Sequence, residues 1–219
     1  MFATDRVRPG RVLVKICGIT RLDDAMAAIE CGADALGFNF SPRSKRQLDR
    51  HRDFDWLDSV PDVVTRVAVL TNPSWQELVE TAQLPFVDAV QLHGEETPVF
   101  CRQAADNSIR FGKALAVTND GESPPVADFF TDTVLLDTWQ GEDFGGTGKV
   151  FDWSIAGRVV NENPGLKIVI AGGLSPDNVA DAIHAIRPFA VDVSSGVEQE
   201  LGRKDLGLIQ RFLAAVQSA

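Results

Sequence analysis

Two side chains in the sequence could carry proton-transfer chemistry, and each stands at the end of an apolar segment. Cys17 ends one such segment, and a deprotonated thiol acts as a general base once its pKa falls from the usual value of about 8.5. Asp137 ends another, where burial would raise the pKa of the carboxyl group and suit it to act as a general acid. An acid and a base on different strands can flank a small substrate. The alternatives are that Cys17 is an inert packed residue and that Asp137 caps a backbone N–H.

Two glycine-containing segments could bind a phosphate group. Gly172 and Gly173 follow one apolar run, and Ser195 and Gly196 follow the next. Backbone N–H groups in such loops, together with the N-terminus of a short extra helix, bind phosphate in many barrels. Turn formation alone would also account for these glycines.

A basic segment, residues 41–46, contains three cations in a strongly acidic chain. These cations, Arg43, Lys45 and Arg46, suggest a ligand with an anionic group other than the phosphate. His93 follows another apolar run and is interpreted as a hydrogen-bonding or wall residue of the same site. The alternative for the cations is a solvated basic loop.

Hydrophobic periodicity predicts alternating strands and helices along the chain. The eight predicted strands are Val12–Cys17, Ala35–Phe40, Thr65–Leu70, Ala89–Leu92, Arg110–Leu115, Thr133–Asp137, Lys167–Ala171 and Ala190–Ser194. The predicted helices are Asp23–Cys31, Leu48–Val60, Ser74–Gln83, Pro98–Ala105, Ser123–Phe130, Trp153–Val160, Pro176–Ile186 and Lys204–Gln217. This alternation predicts one α/β domain, a (β/α)8 TIM barrel over residues 12–219 with a tail over residues 1–11. An open doubly wound sheet is the alternative, but the GxGxxG turn typical of that fold does not follow the first strand.

Active sites of such barrels lie at the C-terminal ends of the strands. Polar or glycine residues end all eight predicted strands, and they are Cys17, Asn39, Thr71 with Asn72, His93, Lys113, Asp137, Gly172 with Gly173, and Ser194 to Gly196. Strand parity also places Lys15 on the same face as Cys17. Asp192 lies on the eighth strand, which barrel closure makes the neighbour of the first. Lys15 and Asp192 are therefore predicted to form an ion pair inside the barrel.

Composition excludes several classes of function. The 219 residues carry a formal net charge of −10 and the pI is about 4.7, so nucleic acid is disfavoured as a partner. No apolar run approaches the roughly 20 residues of a membrane-spanning helix. The start of the chain lacks the apolar stretch of a signal peptide, which favours a cytoplasmic location. The three cysteines form no CxxC pair, so neither a disulfide framework nor a metal site is predicted.

A glycine-rich segment, residues 141–149, superficially resembles a phosphate-binding Walker A loop. Asp143 stands where that motif needs glycine, and Val150 stands where it needs serine or threonine. The segment is therefore predicted to be a mobile loop that closes on substrate, not a nucleotide site.

Seven motifs occur in the same order as in a known enzyme family. They are Lys15–Thr20, Gly32–Phe38, Gln91–Gly94, Leu135–Asp137, Gly145–Gly148 with Phe151–Trp153, Ala171–Leu174, and Val191–Glu198 with Gly202 and Lys204–Asp205. Together they resemble the phosphoribosylanthranilate isomerases of tryptophan biosynthesis, over nearly the whole chain from Val14 to about Phe212.

The resemblance implies a cofactor-free Amadori rearrangement of the sugar phosphate N-(5-phosphoribosyl)anthranilate to 1-(2-carboxyphenylamino)-1-deoxyribulose 5-phosphate. Asp137 matches the general acid that protonates the ring oxygen of the sugar, and Cys17 matches the general base that removes the proton from C2. The iminium formed on ring opening is the electron sink, so neither a metal nor another cofactor is expected.

The resemblance also implies a set of substrate-binding residues. They are Arg46, His93, Gly172, Gly173, Asp192, Ser195 and Gly196. Arg46 matches the arginine near the anthranilate group and can pair with its carboxylate, with Arg43 as the alternative. The glycines and Ser195 match the phosphate loops.

Three rival functions differ in the residues they need. A histidine-pathway isomerase would carry aspartate in place of Cys17, and an indole-glycerol-phosphate synthase would need site lysines that only Lys113 could supply. A non-catalytic metabolite-binding barrel would keep the phosphate loops without needing the acid or the base. The sequence leaves the oligomeric state open between monomer and homodimer.

Overall fold

A closed barrel of eight parallel strands forms the centre of the molecule. The structure, a computed structural model, describes residues 2, 10–117, 125–137 and 153–219. The strands are β1 Leu13–Cys17, β2 Ala35–Asn39, β3 Thr65–Leu70, β4 Ala89–Leu92, β5 Phe111–Ala116, β6 Thr133–Asp137, β7 Lys167–Ala171 and β8 Ala190–Val193. They pair in chain order, and β8 closes on β1. The predicted barrel is confirmed, with every strand boundary within one residue, and the open sheet is excluded.

Seven α-helices surround the barrel within the described part of the chain. They are α1 Leu22–Glu30, α2 Phe54–Asp58, α3 Trp75–Ala82, α4 Pro98–Asp106, α5 Trp153–Glu162, α6 Val179–Ile186 and α7 Leu206–Gln217. A 3-10 helix at Ser195–Val197 and a small hairpin, β9 Glu198–Glu200 with β10 Arg203–Lys204, follow β8. The hairpin is an addition that periodicity did not predict.

Three helix predictions were wrong in extent, and local polar side chains explain two of them. The predicted helix at 48–60 begins only at Phe54, because the Asp49 carboxylate accepts hydrogen bonds from the backbone N–H groups of His51 and Arg52 and holds a turn there. The Asn178 side chain accepts a hydrogen bond from the Ser175 N–H, which delays the start of α6. The predicted helix at 123–130 is a 3-10 helix at Val126–Phe129 in its described part.

The barrel interior is apolar at the bottom and polar at the top. Phe2, in the segment predicted to be a tail, is buried against the edge of Phe189 with the ring centroids 5.7 Å apart, and its carbonyl accepts a hydrogen bond from Arg110. Above this apolar layer, the buried polar side chains include Lys15, Gln91 and Asp192. The strand ends that bear these polar groups form the mouth of the barrel, where the candidate site lies.

Within the described ranges, no helix is both long enough and apolar enough to span a membrane. The glycine-rich segment 141–149 lies outside the described residues, as does most of the segment 1–11.

Candidate active site

An ion pair inside the barrel joins its first and last strands. Lys15 on β1 stands in register with Asp192 on β8, and Lys15 Nζ lies 2.9 Å from Asp192 Oδ2. The Lys15 side chain is completely buried. This confirms the pair predicted from strand parity and places a positive charge directly beneath the end of β1.

Cys17 lies two residues beyond Lys15 on the same face of β1. It stands in register with Gly37 on β2, and a Cβ atom at position 37 would lie 2.6 Å from Cys17 Sγ and 3.1 Å from Lys15 Cε. Real Cβ contacts are not that short, so glycine on β2 provides the room that both side chains occupy.

The surroundings of the Cys17 thiol act on its pKa in both directions. Burial raises the pKa of the thiol above its ordinary value, and the neighbouring Asp192 carboxylate adds to this effect. The ammonium groups of Lys15 and Lys204 act in the opposite direction. A thiol that acts as a general base needs a lowered pKa, and burial at the end of β1, which the sequence alone does not show, acts against this.

Replacement of Lys15 by methionine is expected to destabilise the fold by about 3–5 kcal/mol, because it leaves the Asp192 carboxylate buried without its partner. Urea unfolding at pH 7 measures this loss as a lower midpoint at unchanged slope. The double variant Lys15→Met/Asp192→Asn should recover most of the stability. Arg203→Met removes an exposed pair and should change little. A Lys15→Met variant within 1 kcal/mol of the wild type would contradict the argument.

Asp137 ends β6 and contacts His93 across the mouth. His93 Nε2 lies 3.1 Å from Asp137 Oδ2, and His93 Nδ1 lies 2.9 Å from the amide nitrogen of Gln91 on β4. With that amide as the donor, Nδ1 accepts and Nε2 carries the hydrogen that faces Asp137. The Asp137 side chain keeps 25% of its exposure, so the apolar burial expected for it is only partial. His93 is thus placed to orient the carboxyl group.

The acid and base candidates end two strands of the same closed barrel and therefore lie at one mouth. Cys17 follows the buried Lys15–Asp192 pair along β1, and Asp137 contacts His93, which follows β4. The Oδ1 atom of Asp192 is buried and has no hydrogen-bond partner among the described residues. A buried acceptor of this kind is available to a hydroxyl group of a substrate.

Arg46, and not Arg43, lies at the mouth. Arg43 is exposed, whereas the Arg46 side chain crosses directly over Gly18, so that a Cβ at position 18 would overlap with Arg46 Cδ. Gly18 also has a φ of 72°, a left-handed conformation that favours glycine. The guanidinium is bound by Glu198 from the hairpin, with Arg46 Nε and Nη2 each donating a hydrogen bond of 2.6 Å.

The two predicted phosphate loops meet at the ends of β7 and β8. Gly172 and Gly173 both have positive φ, at 84° and 64°. Gly196 packs so closely against the turn after β7 that a Cβ atom at position 196 would overlap with the carbonyl oxygen of Leu174. Ser195 begins the 3-10 helix, which is the short extra helix expected beside a phosphate site. The four residues therefore line one corner of the mouth.

Several polar strand ends hold loops together and do not face the site. Asn39 accepts the Ser41 N–H, and the Asn72 side chain accepts the Glu95 N–H. Lys113 is in the middle of β5, where its ammonium lies 2.7 Å from Glu96 Oε2 and is almost completely buried. The prediction that Lys113 ends a strand was wrong, and this pairing also removes it as a catalytic lysine.

Sequence reasoning left two charged residues of the mouth without a role, Glu198 and Lys204. Both belong to a recognised motif, but the hairpin brings Glu198 to Arg46, 152 residues away in the sequence, and Lys204 to Glu198. In the described part of the chain, no cluster of three His, Cys, Asp or Glu side chains has the arrangement of a metal site.

The comparison with known families decides where the chain belongs. A sequence model described as N-(5'phosphoribosyl)anthranilate (PRA) isomerase matches residues 14–215. The chain belongs to the PRA isomerase family. A PRA isomerase of Trichlorobacter lovleyi is 41% identical over 208 residues, which cover 95% of this chain and 99% of that protein.

Solved PRA isomerases share the fold. The Thermotoga maritima structure matches with a TM-score of 0.82 at 40% identity, covering 95% of this chain and 100% of that one. Another, described as a complex with reduced 1-(o-carboxyphenylamino)-1-deoxyribulose 5-phosphate, matches with a TM-score of 0.78 at 37% identity, with 95% and 100% covered. The predicted family, isomerase class and barrel are confirmed, while the roles of individual residues stay predictions.

Proposed function

We propose that the chain catalyses the Amadori rearrangement of N-(5-phosphoribosyl)anthranilate to 1-(2-carboxyphenylamino)-1-deoxyribulose 5-phosphate, a step of tryptophan biosynthesis, with Asp137 as general acid and Cys17 as general base. The observation that supports the assignment of roles is that Cys17 and Asp137 end two strands of one closed barrel at the same mouth, where Cys17 follows the buried Lys15–Asp192 pair and Asp137 contacts His93. The location that we expect for the enzyme is the cytoplasm.

The first half of the reaction is assigned to Asp137. Its carboxyl group donates a proton to the ring oxygen of the ribose, the bond from C1 to that oxygen breaks, and the nitrogen lone pair forms the C1=N iminium. His93, 3.1 Å from the carboxyl group, keeps it turned toward the substrate through these steps. The site thereby converts a closed sugar into an open-chain electron sink.

The second half is assigned to Cys17. The thiolate removes the proton from C2, and the electrons of that C–H bond form the C1=C2 double bond of the enolamine while the nitrogen becomes neutral. Loss of the C2 hydroxyl proton and protonation of C1 then give the ketone. The buried ammonium of Lys15 stabilises the thiolate, since it interacts with the thiol as well as with Asp192.

Substrate binding divides the mouth into three regions. The phosphate is assigned to the corner formed by Gly172, Gly173, Ser195 and Gly196, and the aryl carboxylate to Arg46. A sugar hydroxyl is assigned to the free Oδ1 of Asp192. These regions lie around the acid and the base, which suits a substrate with an anion at each end.

The assembly is proposed to be a monomer or a homodimer; one Thermotoga maritima relative is described as dimeric.

The experiment that tests the function generates phosphoribosylanthranilate in the cuvette and follows the loss of its fluorescence. The purified chain is expected to accelerate this loss, with the aminoketose phosphate appearing in equal amount by mass spectrometry. A metabolite-binding barrel would instead bind the sugar phosphate, detected by equilibrium dialysis, and leave the fluorescence unchanged.

A further inference from the structure

Glu198 stands at the start of the hairpin and forms the centre of a chain of three charged side chains at the mouth, Lys204, Glu198 and Arg46. We propose that Glu198 is a positioning residue that fixes Arg46 and so gives the enzyme its preference for substrates with an aryl carboxylate. The proposal rests on the proposed function, because it assigns Arg46 to that carboxylate. It adds a residue that acts on specificity without touching the substrate.

The geometry of the pair leaves Arg46 able to bind a second carboxylate. Glu198 binds the edge of the guanidinium formed by Nε and Nη2: Nε donates to Oε1 and Nη2 donates to Oε2, both at 2.6 Å. The edge formed by Nη1 and the second hydrogen of Nη2 has no partner among the described residues. A planar guanidinium offers two such edges, each matched to a carboxylate. The pair with Glu198 therefore fixes the plane and the direction of the open edge.

Glu198 can hold Arg46 in place because it is itself held. Lys204 Nζ donates to Glu198 Oε1 at 2.9 Å and to the Ser194 carbonyl oxygen at 3.1 Å. The Lys204 backbone N–H donates to Asp24 on α1, which attaches the hairpin to the barrel. The side chains of Glu198 and Lys204 are 5% and 1% exposed. A carboxylate anchored in this way resists movement, whereas an arginine on a loop alone would sample many rotamers.

The charges of Lys204, Glu198 and Arg46 favour an anion as the next partner of the Arg46 guanidinium. Burial raises the pKa of Glu198, but the hydrogen bonds from Arg46 and the charge of Lys204 outweigh burial, so that the pKa lies below its ordinary value. Glu198 is thus ionised at neutral pH. The hydrogen bonds to Glu198 raise the pKa of the Arg46 guanidinium, which keeps its positive charge and lies over Gly18, the residue that follows the base Cys17.

The test compares two reduced, unreactive ligands, one with the carboxyphenylamino group and one with a phenylamino group on the same deoxyribitol 5-phosphate. In Glu198→Gln, the affinity for the carboxylate ligand is expected to fall about 10- to 100-fold, with an unchanged affinity for the other ligand. In steady-state assays KM should rise more than kcat falls. The matched control is Glu200→Gln, on the same hairpin but exposed, which should leave both affinities unchanged.

The outcomes separate this proposal from the proposed function. Equal weakening of both ligands in Glu198→Gln would overturn it and show a merely structural role. Should that variant fail to fold, Glu198→Asp keeps the charge but is too short for the same pair, and it should show the same selective loss. If Arg46→Ala loses the preference for the carboxylate and neither Glu198 variant does, this proposal alone is wrong. If the wild type converts no phosphoribosylanthranilate, the proposed function fails, and the proposal fails with it.

Discussion

Cys17→Ser is expected to lower kcat/KM for phosphoribosylanthranilate by about 10²- to 10⁴-fold, the range for loss of a general base. A hydroxyl group is smaller than the thiol and fits the space beside Gly37, so the fold should be kept. It holds its proton far more tightly than a thiol and cannot act as a base at neutral pH. The fluorescence assay measures the rate, and urea unfolding checks that stability is unchanged.

The pH profile strengthens this test. Because burial raises the pKa of Cys17, most of the thiol is protonated at neutral pH. Since only the thiolate removes the proton, kcat/KM of the wild type should rise about tenfold per pH unit below that pKa. The serine variant should lack this rise. Cys31→Ser, which changes a cysteine outside the mouth, should behave as the wild type. Normal turnover in Cys17→Ser would rule out the thiol as the base.

Asp137→Asn is expected to cause a loss of similar size, about 10²- to 10⁴-fold in kcat/KM, because an amide cannot donate the proton that opens the sugar ring. Asparagine keeps the shape of the side chain and its contact with His93, so binding of the reduced product should change much less than turnover. The measurement is the same fluorescence assay together with a titration of the reduced ligand.

The control for Asp137→Asn is Asp132→Asn, which changes an aspartate at the opposite end of β6. Asp132 precedes β6 and forms an ion pair with Lys167 at the bottom of the barrel, with Lys167 Nζ 2.7 Å from Asp132 Oδ2. Asp132→Asn should therefore leave turnover unchanged. An Asp137→Asn enzyme with the wild-type rate would move the role of general acid to another side chain.

The fold was predictable because buried parallel strands have a strong sequence signal. In β7 the residues Ile168–Ala171 are buried on both faces of the strand and are all apolar, so the bounds of the strand are sharp. The alternation of side chains along β1, together with the closure of the barrel by β8, was then enough to predict that Lys15 pairs with Asp192. Helices were predicted less well where a side chain such as Asp49 takes over backbone N–H groups and replaces the first helical turn.

The sequence predicted which residues form the site better than it predicted the electrostatic surroundings of those residues. Cys17 and Asp137 end their strands as expected. The direction of the Cys17 pKa shift depends on burial and on the charges of Lys15 on the same strand, Asp192 on β8 and Lys204 on the hairpin, which no local pattern records together. Similarly, the alternation of residues along β5 does not show how deeply Lys113 is buried. Its partner Glu96 lies in the loop between β4 and α4, so no pattern within β5 reveals the pair.

The bond between Arg46 and Glu198 also bears on how such a barrel can be re-engineered. Loops at a barrel mouth are commonly treated as separate modules, each exchangeable with its counterpart from a related enzyme. The segment after β2 and the hairpin after β8 do not meet that condition, since each supplies half of a buried ion pair. Grafting either segment alone would leave an unpaired charge at the mouth. The two have to be transplanted together, as a single discontinuous module.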